Sequence, residues 1–352
     1  MSGASANEVL RSLRAEIDRV LVPLIAGHER HICLIDPPNY SNVGDSAILL
    51  GELNFLKARF PRSRISFFDL DSYSERCENL IDRASIILLN GGGNFGDIYP
   101  RQQELRLRLL QRFPDKRIVQ LPQSICFTDE ANIARTAEAI AMHGDFHLLA
   151  RDRASQAFAT ENFACQIWLS PDMAFWLDLS PKVPAHDVFC LLRSDNEAVA
   201  DHRAIVDAVR DHTASFEARD WLDEPNTVTR WFDHRLLWQT QRDPRLTWPL
   251  MPVMLAARRR YAQDRVDAGI ELLSRGRLVI TDRLHAHIMC CLMGIPHFMF
   301  DSLDGKVSAL YRTWTHAFAG TEFVAGPDQL PAALTAMNEW ARAAMSNNHA
   351  LA

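Results

Sequence analysis

Hydrophobic residues along this 352-residue chain form short uninterrupted runs that alternate with longer stretches of helical periodicity. Runs that are apolar on both faces are typical of strands in a covered parallel sheet, and the intervening stretches are long enough for crossover helices. The pattern therefore predicts a doubly wound α/β fold. The predicted strands are residues 31–36, 64–70, 85–90, 117–122, 145–150, 165–170, 188–193, 215–222, 277–282 and 295–301.

A polar segment with two prolines, residues 178–187, interrupts this alternation and predicts a linker. It divides the chain into an N-terminal Rossmann-like domain, residues 1–180, and a C-terminal Rossmann-like domain, residues 181–352. The helical patterns at 227–275 are assigned to the second domain. We expect the carboxyl ends of the two sets of strands to face a cleft, because open α/β sheets usually bind ligands there.

Composition narrows the class of protein. With 47% hydrophobic and 23% charged residues the chain is typical of globular proteins, and its net charge of −6 argues against nucleic-acid binding. The first 27 residues predict an amphipathic helix rather than a signal peptide, and no stretch reaches the roughly 20 apolar residues of a membrane span. The seven cysteines lack paired zinc spacing and most fall in apolar runs, so reduced, buried thiols and a cytoplasmic location are expected.

Three segments of the first half place polar residues at the carboxyl ends of predicted strands: PPNYSNVGDSAI, LLNGGGNFGDIYP and LPQS. Asp45 or Ser46 is expected to cap the following helix and leave its first N–H groups for an anion. The glycines allow close approach by a ligand or by another part of the backbone. Turns without ligand are the alternative. The candidate ligand or loop contacts in these segments are Asn42, Gly44, Asp45, Gly92, Gly93, Asn94, Asp97 and Gln123.

The stretch VITDRLHAHIMCCLMGIPHFMFD, residues 279–301, runs from an apolar strand into an apolar helix. If Thr281 or Asp282 caps this helix, Arg283 and His285 occupy its first turn, where free N–H groups and the helix dipole already favour an anion. Arg283 adds a fork of donors, and His285 adds a group that can carry a proton near neutral pH. The pattern favours an anion site, and His287 is interpreted as an ordinary core or surface histidine without a ligand.

Two patterns are compatible with a metal ion. Asp69 and Asp71 form a D-x-D pair, and His287 lies three and four residues before Cys290 and Cys291. Such pairs arise readily by chance, and neither has a second pair of ligands nearby in the sequence. We therefore predict no metal site.

The motifs SNVGDSAILLGEL, ILLNGGGNFGD, LPQS, ITDRLHAHIMCCLMGIPHFMFD and DGKVSALYRTW together resemble the polysaccharide pyruvyltransferase family, over roughly residues 31–315. The resemblance implies an arrangement like the glycosyltransferase B fold, phosphoenolpyruvate as donor and a sugar, lipid-linked or free, as acceptor. It assigns Arg283 and His285 to the donor site. Arg193 and Lys306 match further basic positions of the family. No metal or other cofactor is implied, only the co-substrate.

The implied reaction needs a base for the sugar hydroxyl, and Asp45, Asp97 and Asp172 are candidates. Two other functions remain open: a nucleotide-sugar glycosyltransferase whose helix start holds a diphosphate, and a non-catalytic carbohydrate-binding protein. The basic stretch ARRRYAQDR is interpreted as a solvated helix face, with contact to the inner face of an anionic membrane as the alternative.

Overall fold

The computed structural model describes residues 6–194, 201–221, 231–232, 234–236, 239–240 and 244–336. These residues form two compact units. The N-terminal unit contains the described parts of Leu10–Asp178 and Leu222–Ala268. The C-terminal unit contains the described parts of Met1–Val9, Leu179–Trp221 and Gly269–Ala352.

The described residues of 222–268 thus belong to the N-terminal unit, whereas the sequence predicted them in the second domain. The structural reason lies in their buried contacts with the N-terminal unit. Arg258, which has no solvent exposure, donates to Asp69 at 2.7 Å and to the carbonyl oxygen of Pro38 at 3.2 Å. Its guanidinium also lies over the ring of Phe67, 5.2 Å from the centroid.

The N-terminal unit is built on a seven-stranded sheet whose paired strands are all parallel. Its order is β2-β1-β3-β5-β6-β7, with β4 beside β5. Successive strands are added on one side of β1 and then on the other, so the sheet has a topological switch point between β1 and β3. The strands are β1 (His31–Ile35), β2 (Arg64–Phe68), β3 (Ile86–Leu89), β4 (Gly92–Gly96), β5 (Ile118–Cys126), β6 (Phe146–Ala150) and β7 (Gln166–Leu169).

The C-terminal unit has a five-stranded parallel sheet of order β12-β11-β10-β8-β9. Counted from its own first strand, the first three strands have the same order, second-first-third, as in the first sheet. The switch point lies between β8 and β10. The strand residues Cys190, Ile280 and Phe298 pack in an apolar core with Ile205 and Val209 of a neighbouring helix. The strands are β8 (His186–Leu191), β9 (Phe216–Arg219), β10 (Gly276–Thr281), β11 (His297–Met299) and β12 (Thr321–Phe323).

The helices follow the predicted alternation. A short helical turn, Lys306–Leu310, continues as a π-helical segment, Tyr311–Thr315. Within the described residues, no helix is both long enough and apolar enough to cross a membrane. The α-helices are α1 (Ala6–Ile25), α2 (Val43–Arg59), α3 (Glu75–Asp82), α4 (Pro100–Arg112), α5 (Glu130–Ala141), α6 (Arg153–Asn162), α7 (His202–His212), α8 (Thr247–Leu273), α9 (Leu284–Met293) and α10 (Lys306–Leu310).

The prediction of two parallel α/β sheets is confirmed, and each predicted strand appears within a few residues of its expected bounds. Two details were wrong. The glycine-rich segment is a strand, β4, although its composition is typical of a loop, because it pairs with β5. The short strand β12 was missed, since its three residues lack the apolar run on which the prediction relies.

The basic stretch of α8 was also misread. Two of its arginines, Arg258 and Arg265, are buried, and Arg260 pairs with Asp264 on the same helix. The stretch therefore does not form the continuous solvated face that was predicted, because part of its positive charge is buried.

Candidate active site

The C-terminal switch point gathers the predicted donor residues. Arg193 follows β8 and Arg283 follows β10, the two strands that flank this point. Arg283 is the N-cap residue of α9, with extended backbone angles, and does not lie in its first turn as predicted. Its N–H donates to the hydroxyl of Thr281 at 3.1 Å. The helix starts one residue later than expected because Thr281 ends β10 and holds the turn.

Arg283 is buried, and a carboxylate that the sequence analysis missed orients it. Its Nε and Nη2 atoms donate to the two oxygens of Asp220 at 2.6 and 2.7 Å, which is the bidentate geometry of a strong ion pair. The ring of Trp221 lies 5.7 Å from the guanidinium carbon. Burial opposes ionisation of Asp220, but the contacts from Arg283 and Ser194 outweigh it and lower the pKa of Asp220.

Asp282 was predicted as a helix cap and instead ties the two strand ends together. One oxygen accepts the backbone N–H of Arg193 at 2.9 Å, and the other lies 2.7 Å from Nε2 of His202, the first residue of α7. Asp282 has no solvent exposure. The backbone at Arg193 is therefore fixed relative to the start of α9.

The two histidines of α9 differ in exposure. His285 is partly exposed, whereas His287 is fully buried. Nδ1 of His287 lies 2.6 Å from Nε2 of His297, and its Nε2 lies 2.7 Å from the hydroxyl of Thr315. His297 Nδ1 is 2.8 Å from the carbonyl oxygen of Ile295, so this ring donates there and accepts from His287.

Cys291 belongs to the same buried cluster as His287 and His297. The three potential metal-ligand atoms, one from each residue, lie within 4.8 Å of one another. They are of types that bind zinc. However, the hydrogen-bonded chain from Thr315 through both imidazoles already satisfies these nitrogens, and three groups form an incomplete tetrahedral set. The cluster is explained as core packing on the buried side of α9, the helix that also carries His285.

Lys306 begins α10, directly after Gly305, whose left-handed backbone (φ 68°) turns the chain into the helix. Its ammonium group lies 3.1 Å from Asp304. The structure thus places Lys306 within the C-terminal unit and pairs it with a carboxylate.

The N-terminal switch point lies between the ends of β1 and β3. Asn42 caps α2 by accepting the N–H of Gly44 at 2.8 Å, so the predicted capping role of Asp45 or Ser46 was wrong. Asp45 lies in the first turn of α2 and accepts a hydrogen bond from the hydroxyl of Tyr40. Its side chain is therefore held near the surface at the end of the sheet.

The glycines of β3–β4 have different roles. A Cβ at Gly96 would stand 1.7 Å from the carbonyl oxygen of Cys126, so this glycine is required for strand packing. A Cβ at Gly92 would meet only side-chain atoms, 3.4 Å from Ile48 and 3.7 Å from Asp45, although its φ of 131° favours glycine. Gly92 is buried and Gly93 is half-buried, and a Cβ at Gly93 would lie 3.1 Å from Nη2 of Arg151.

Asn94 is oriented by buried neighbours. Its Oδ1 accepts from Nη2 of Arg106 at 2.9 Å and from Nε2 of Gln123 at 3.0 Å. The amide nitrogen is thereby directed away from both donors, and it lies 3.4 Å from Oδ2 of Asp36. Gln123 itself lies inside β5 with no exposure, so it supports Asn94 and does not offer its own amide at the edge.

Two carboxyl groups at this end have raised pKa values. Burial, reinforced by Asp69 and Asp45, raises the pKa of Asp36 to about 7 against the opposing charges of Arg106 and Arg101. Burial also raises the pKa of Glu52 to about 8, although the N–H of Gly91 donates to it at 2.8 Å. Both carboxyls thus retain protons near neutral pH more readily than ordinary carboxyls.

Three predicted carboxylates have structural tasks instead. Asp97 accepts from the N–H groups of Thr128 and Asp129, directly before α5, and these bonds outweigh burial and lower its pKa. Asp172 is buried in an ion pair with Arg151 at 2.9 Å. Asp69, in the D-x-D pair, is buried against Arg258.

Sequence reasoning missed Asp36, Arg106, Asp220 and the role of Asp282. The only available signal was indirect: a buried arginine needs a carboxylate or amide partner, and an acidic residue directly after a strand often supplies it. The sequence does not show which strand ends become neighbours.

Comparisons with known proteins agree with this architecture. The family model described as polysaccharide pyruvyl transferase matches residues 42–304. "Pyruvyl transferase 1" of Schizosaccharomyces pombe is 30% identical, over 88% of this chain and 76% of that protein. "Putative pyruvyl transferase EpsO" of Bacillus subtilis is 32% identical, over 84% and 89% respectively. A crystal structure of a functionally uncharacterised Klebsiella pneumoniae protein shares the fold, with a TM-score of 0.57 at 18% identity, over 89% of this chain and 99% of that chain.

Proposed function

Because this chain belongs to the polysaccharide pyruvyl transferase family, we propose that it moves pyruvate from phosphoenolpyruvate onto two hydroxyl groups of a polysaccharide sugar unit as a cyclic ketal, with release of phosphate. The observation that carries the choice of donor is the grouping of Arg193, Arg283 and His285 around the C-terminal switch point. The donor has a carboxylate and a phosphate, and these are the anions that arginine binds most specifically.

Asp220 and Asp282 support this proposal by fixing positions rather than by adding charge to the donor site. The bidentate contact with Asp220 sets the plane of the Arg283 guanidinium, and Asp282 sets the backbone at Arg193. A preorganised fork of donors loses little entropy when it binds a planar anion. The anionic donor binds beside these ion pairs, and Lys306 adds a further positive group in the same unit.

The proposed chemistry is an addition followed by an elimination. A proton adds to the methylene carbon of the enol, and the first sugar hydroxyl bonds to the adjacent carbon. The bond from that carbon to the phosphate oxygen then breaks, and the second hydroxyl closes the ketal. Of the two hydroxyl protons, one balances the new methyl group and the other leaves with phosphate. His285 carries a proton either to the methylene carbon or to the departing phosphate.

The N-terminal switch point is assigned to the acceptor. The groups at this sheet edge are amide side chains, carboxyl groups with raised pKa values and the backbone of glycines. Such groups bind neutral hydroxyl groups better than anions. Asn94, Asp45 and the backbone of Gly92 and Gly93 are the proposed contacts.

A donor assay tests the proposal. Purified protein receives phosphoenolpyruvate or a UDP-sugar together with a panel of nitrophenyl hexosides that have free 4- and 6-hydroxyls. We expect phosphate release only with phosphoenolpyruvate, and a product heavier than the hexoside by one ketal pyruvate. Release of UDP would instead identify a glycosyltransferase, and release of neither product would contradict the proposal.

A further inference from the structure

Asp36 occupies an unusual backbone position at the N-terminal switch point. It is the residue directly after β1, and its φ is 61°. Within the described part of the chain it is the only residue other than glycine with positive φ. Aspartate tolerates this left-handed region better than most residues, but the conformation still carries a cost, and such conformations concentrate at functional sites.

Hydrogen bonds on both sides hold this conformation. The N–H of Asp36 donates to the carbonyl oxygen of Phe68 at 2.8 Å, and the N–H of Asn90 donates to the carbonyl oxygen of Ile35 at 2.9 Å. The turn after β1 is thus anchored to the ends of β2 and β3. The side chain of Asp36 consequently lies where ligands of doubly wound sheets usually bind.

The surroundings position the carboxyl group without neutralising it through a direct ion pair. Asn94 offers its amide nitrogen to Oδ2 at 3.4 Å, and the hydrogen bonds of Arg106 and Gln123 fix that amide. Arg106 is itself buried and donates to amide oxygens, including Gln120 at 2.7 Å, so its charge acts on Asp36 across a distance. The charged or titratable groups that influence the carboxyl are Arg106, Arg101, Asp69, Asp45 and Tyr40.

We propose that Asp36 is the general base that takes the proton of the attacking acceptor hydroxyl. This inference rests on the proposed function. As the hydroxyl oxygen bonds to the central carbon of the donor, its proton passes to a carboxylate oxygen of Asp36. The proton added to the methylene carbon balances this one, and the proton of the second hydroxyl leaves with phosphate. Asn94 is the positioning residue that keeps Oδ2 oriented.

The other acidic candidates fit this role less well. Asp97 accepts backbone N–H groups of the turn before α5, Asp172 is held in a buried ion pair, and Asp45 accepts from Tyr40. A base works best when its pKa is near the pH of the reaction, and burial raises the pKa of Asp36 to about 7.

The test is a pH–rate profile of Asp36→Asn between pH 5 and 9, with phosphoenolpyruvate and whichever nitrophenyl hexoside the wild-type protein uses. Asparagine keeps the shape of the side chain and is favoured at positive φ, so the fold should persist, with a melting temperature at or above that of the wild type. We expect kcat to fall about 100- to 1000-fold with little change in donor KM. The rise in wild-type rate through neutral pH should disappear.

Two further variants separate chemistry from structure. Asp71→Asn makes the same chemical change at an exposed aspartate near the same edge and should leave the rate within about twofold of wild type. In Asp36→Gly the backbone conformation is free of cost, and sodium formate, a small external carboxylate, should restore part of the lost rate.

The outcomes are distinct. If Asp36→Asn keeps the wild-type rate, or loses rate but keeps the same pH dependence, Asp36 is not the base, while the proposed function stands. If the wild-type protein releases no phosphate with any acceptor of the panel, the proposed function fails and this inference fails with it.

Discussion

The two sheets have the same strand order around their switch points but carry opposite chemistry there. The C-terminal switch point holds full charges in pairs, with Arg283 on Asp220 and Asp282 bridging His202 and the backbone of Arg193. The N-terminal one holds amides, glycines and carboxyls whose pKa values burial has raised. One topology therefore carries paired charges in one unit and amides with readily protonated carboxyls in the other.

The difference follows from the partners of the arginine that is buried at each switch point. Behind the N-terminal switch point the buried arginine, Arg106, donates to glutamine and asparagine side chains. At the C-terminal one the buried arginine, Arg283, contacts a carboxylate, which stays ionised because of that contact. Neutral partners leave nearby carboxyls reluctant to ionise, whereas charged partners hold them ionised.

The largest expected effect is at His285. His285→Ala should lower kcat about 100- to 1000-fold with the fold intact, because it removes the only titratable group proposed to carry protons at the C-terminal switch point. The measurement is steady-state phosphate release, with circular dichroism for the fold. His316→Ala, an exposed histidine of the same unit, is the control and should keep the wild-type rate. An unchanged rate in His285→Ala would remove this residue from the mechanism.

A smaller effect is expected from Arg283→Lys. Lysine keeps the charge but cannot form the two parallel bonds to Asp220, so the cation becomes less well oriented for a planar anion. We expect kcat/KM for phosphoenolpyruvate to fall about 10- to 100-fold, equivalent to about 1.4–2.7 kcal/mol. Arg210→Lys on the surface of α7 should have no effect. A wild-type KM and rate in Arg283→Lys would show that the fork geometry is not needed.

The smallest expected effect concerns stability at the N-terminal switch point. The pKa of Glu52 in the folded protein, about 8, is above its ordinary value of 4.5, so the folded state binds the extra proton. Its favourable contribution is complete below pH 4.5 and is lost as the pH rises through 8. Glu52→Gln keeps the acceptor for the Gly91 N–H. Compared with wild type, the variant should gain about 1–3 kcal/mol more in free energy of unfolding at pH 9 than at pH 5.

Urea unfolding at both pH values measures this difference. Glu104→Gln, an exposed glutamate of the same unit, should change the pH dependence little. A pH dependence of wild type and Glu52→Gln that is identical would indicate that Glu52 is ionised in the folded protein and that the contrast between the two switch points is overstated.

The sequence by itself determined the local elements and the family. Apolar runs and helical periods gave the strands and most helices, because burial on both faces of a strand leaves a pattern in the chain itself. The motif from Thr281 to His285 also marked the C-terminal site, since charged groups between two apolar elements have few explanations. The sequence left open whether His287 is a core or a surface residue, and the structure places it in the core.

Only the tertiary structure decided which strand ends are neighbours and therefore which side chains meet. Asp36 and Asn94 are 58 residues apart, and Arg283 and Asp220 are 63 apart. Strand order is set by long-range pairing and crossover packing, which no local pattern encodes, and the pKa of Asp36 depends on the burial that this order creates.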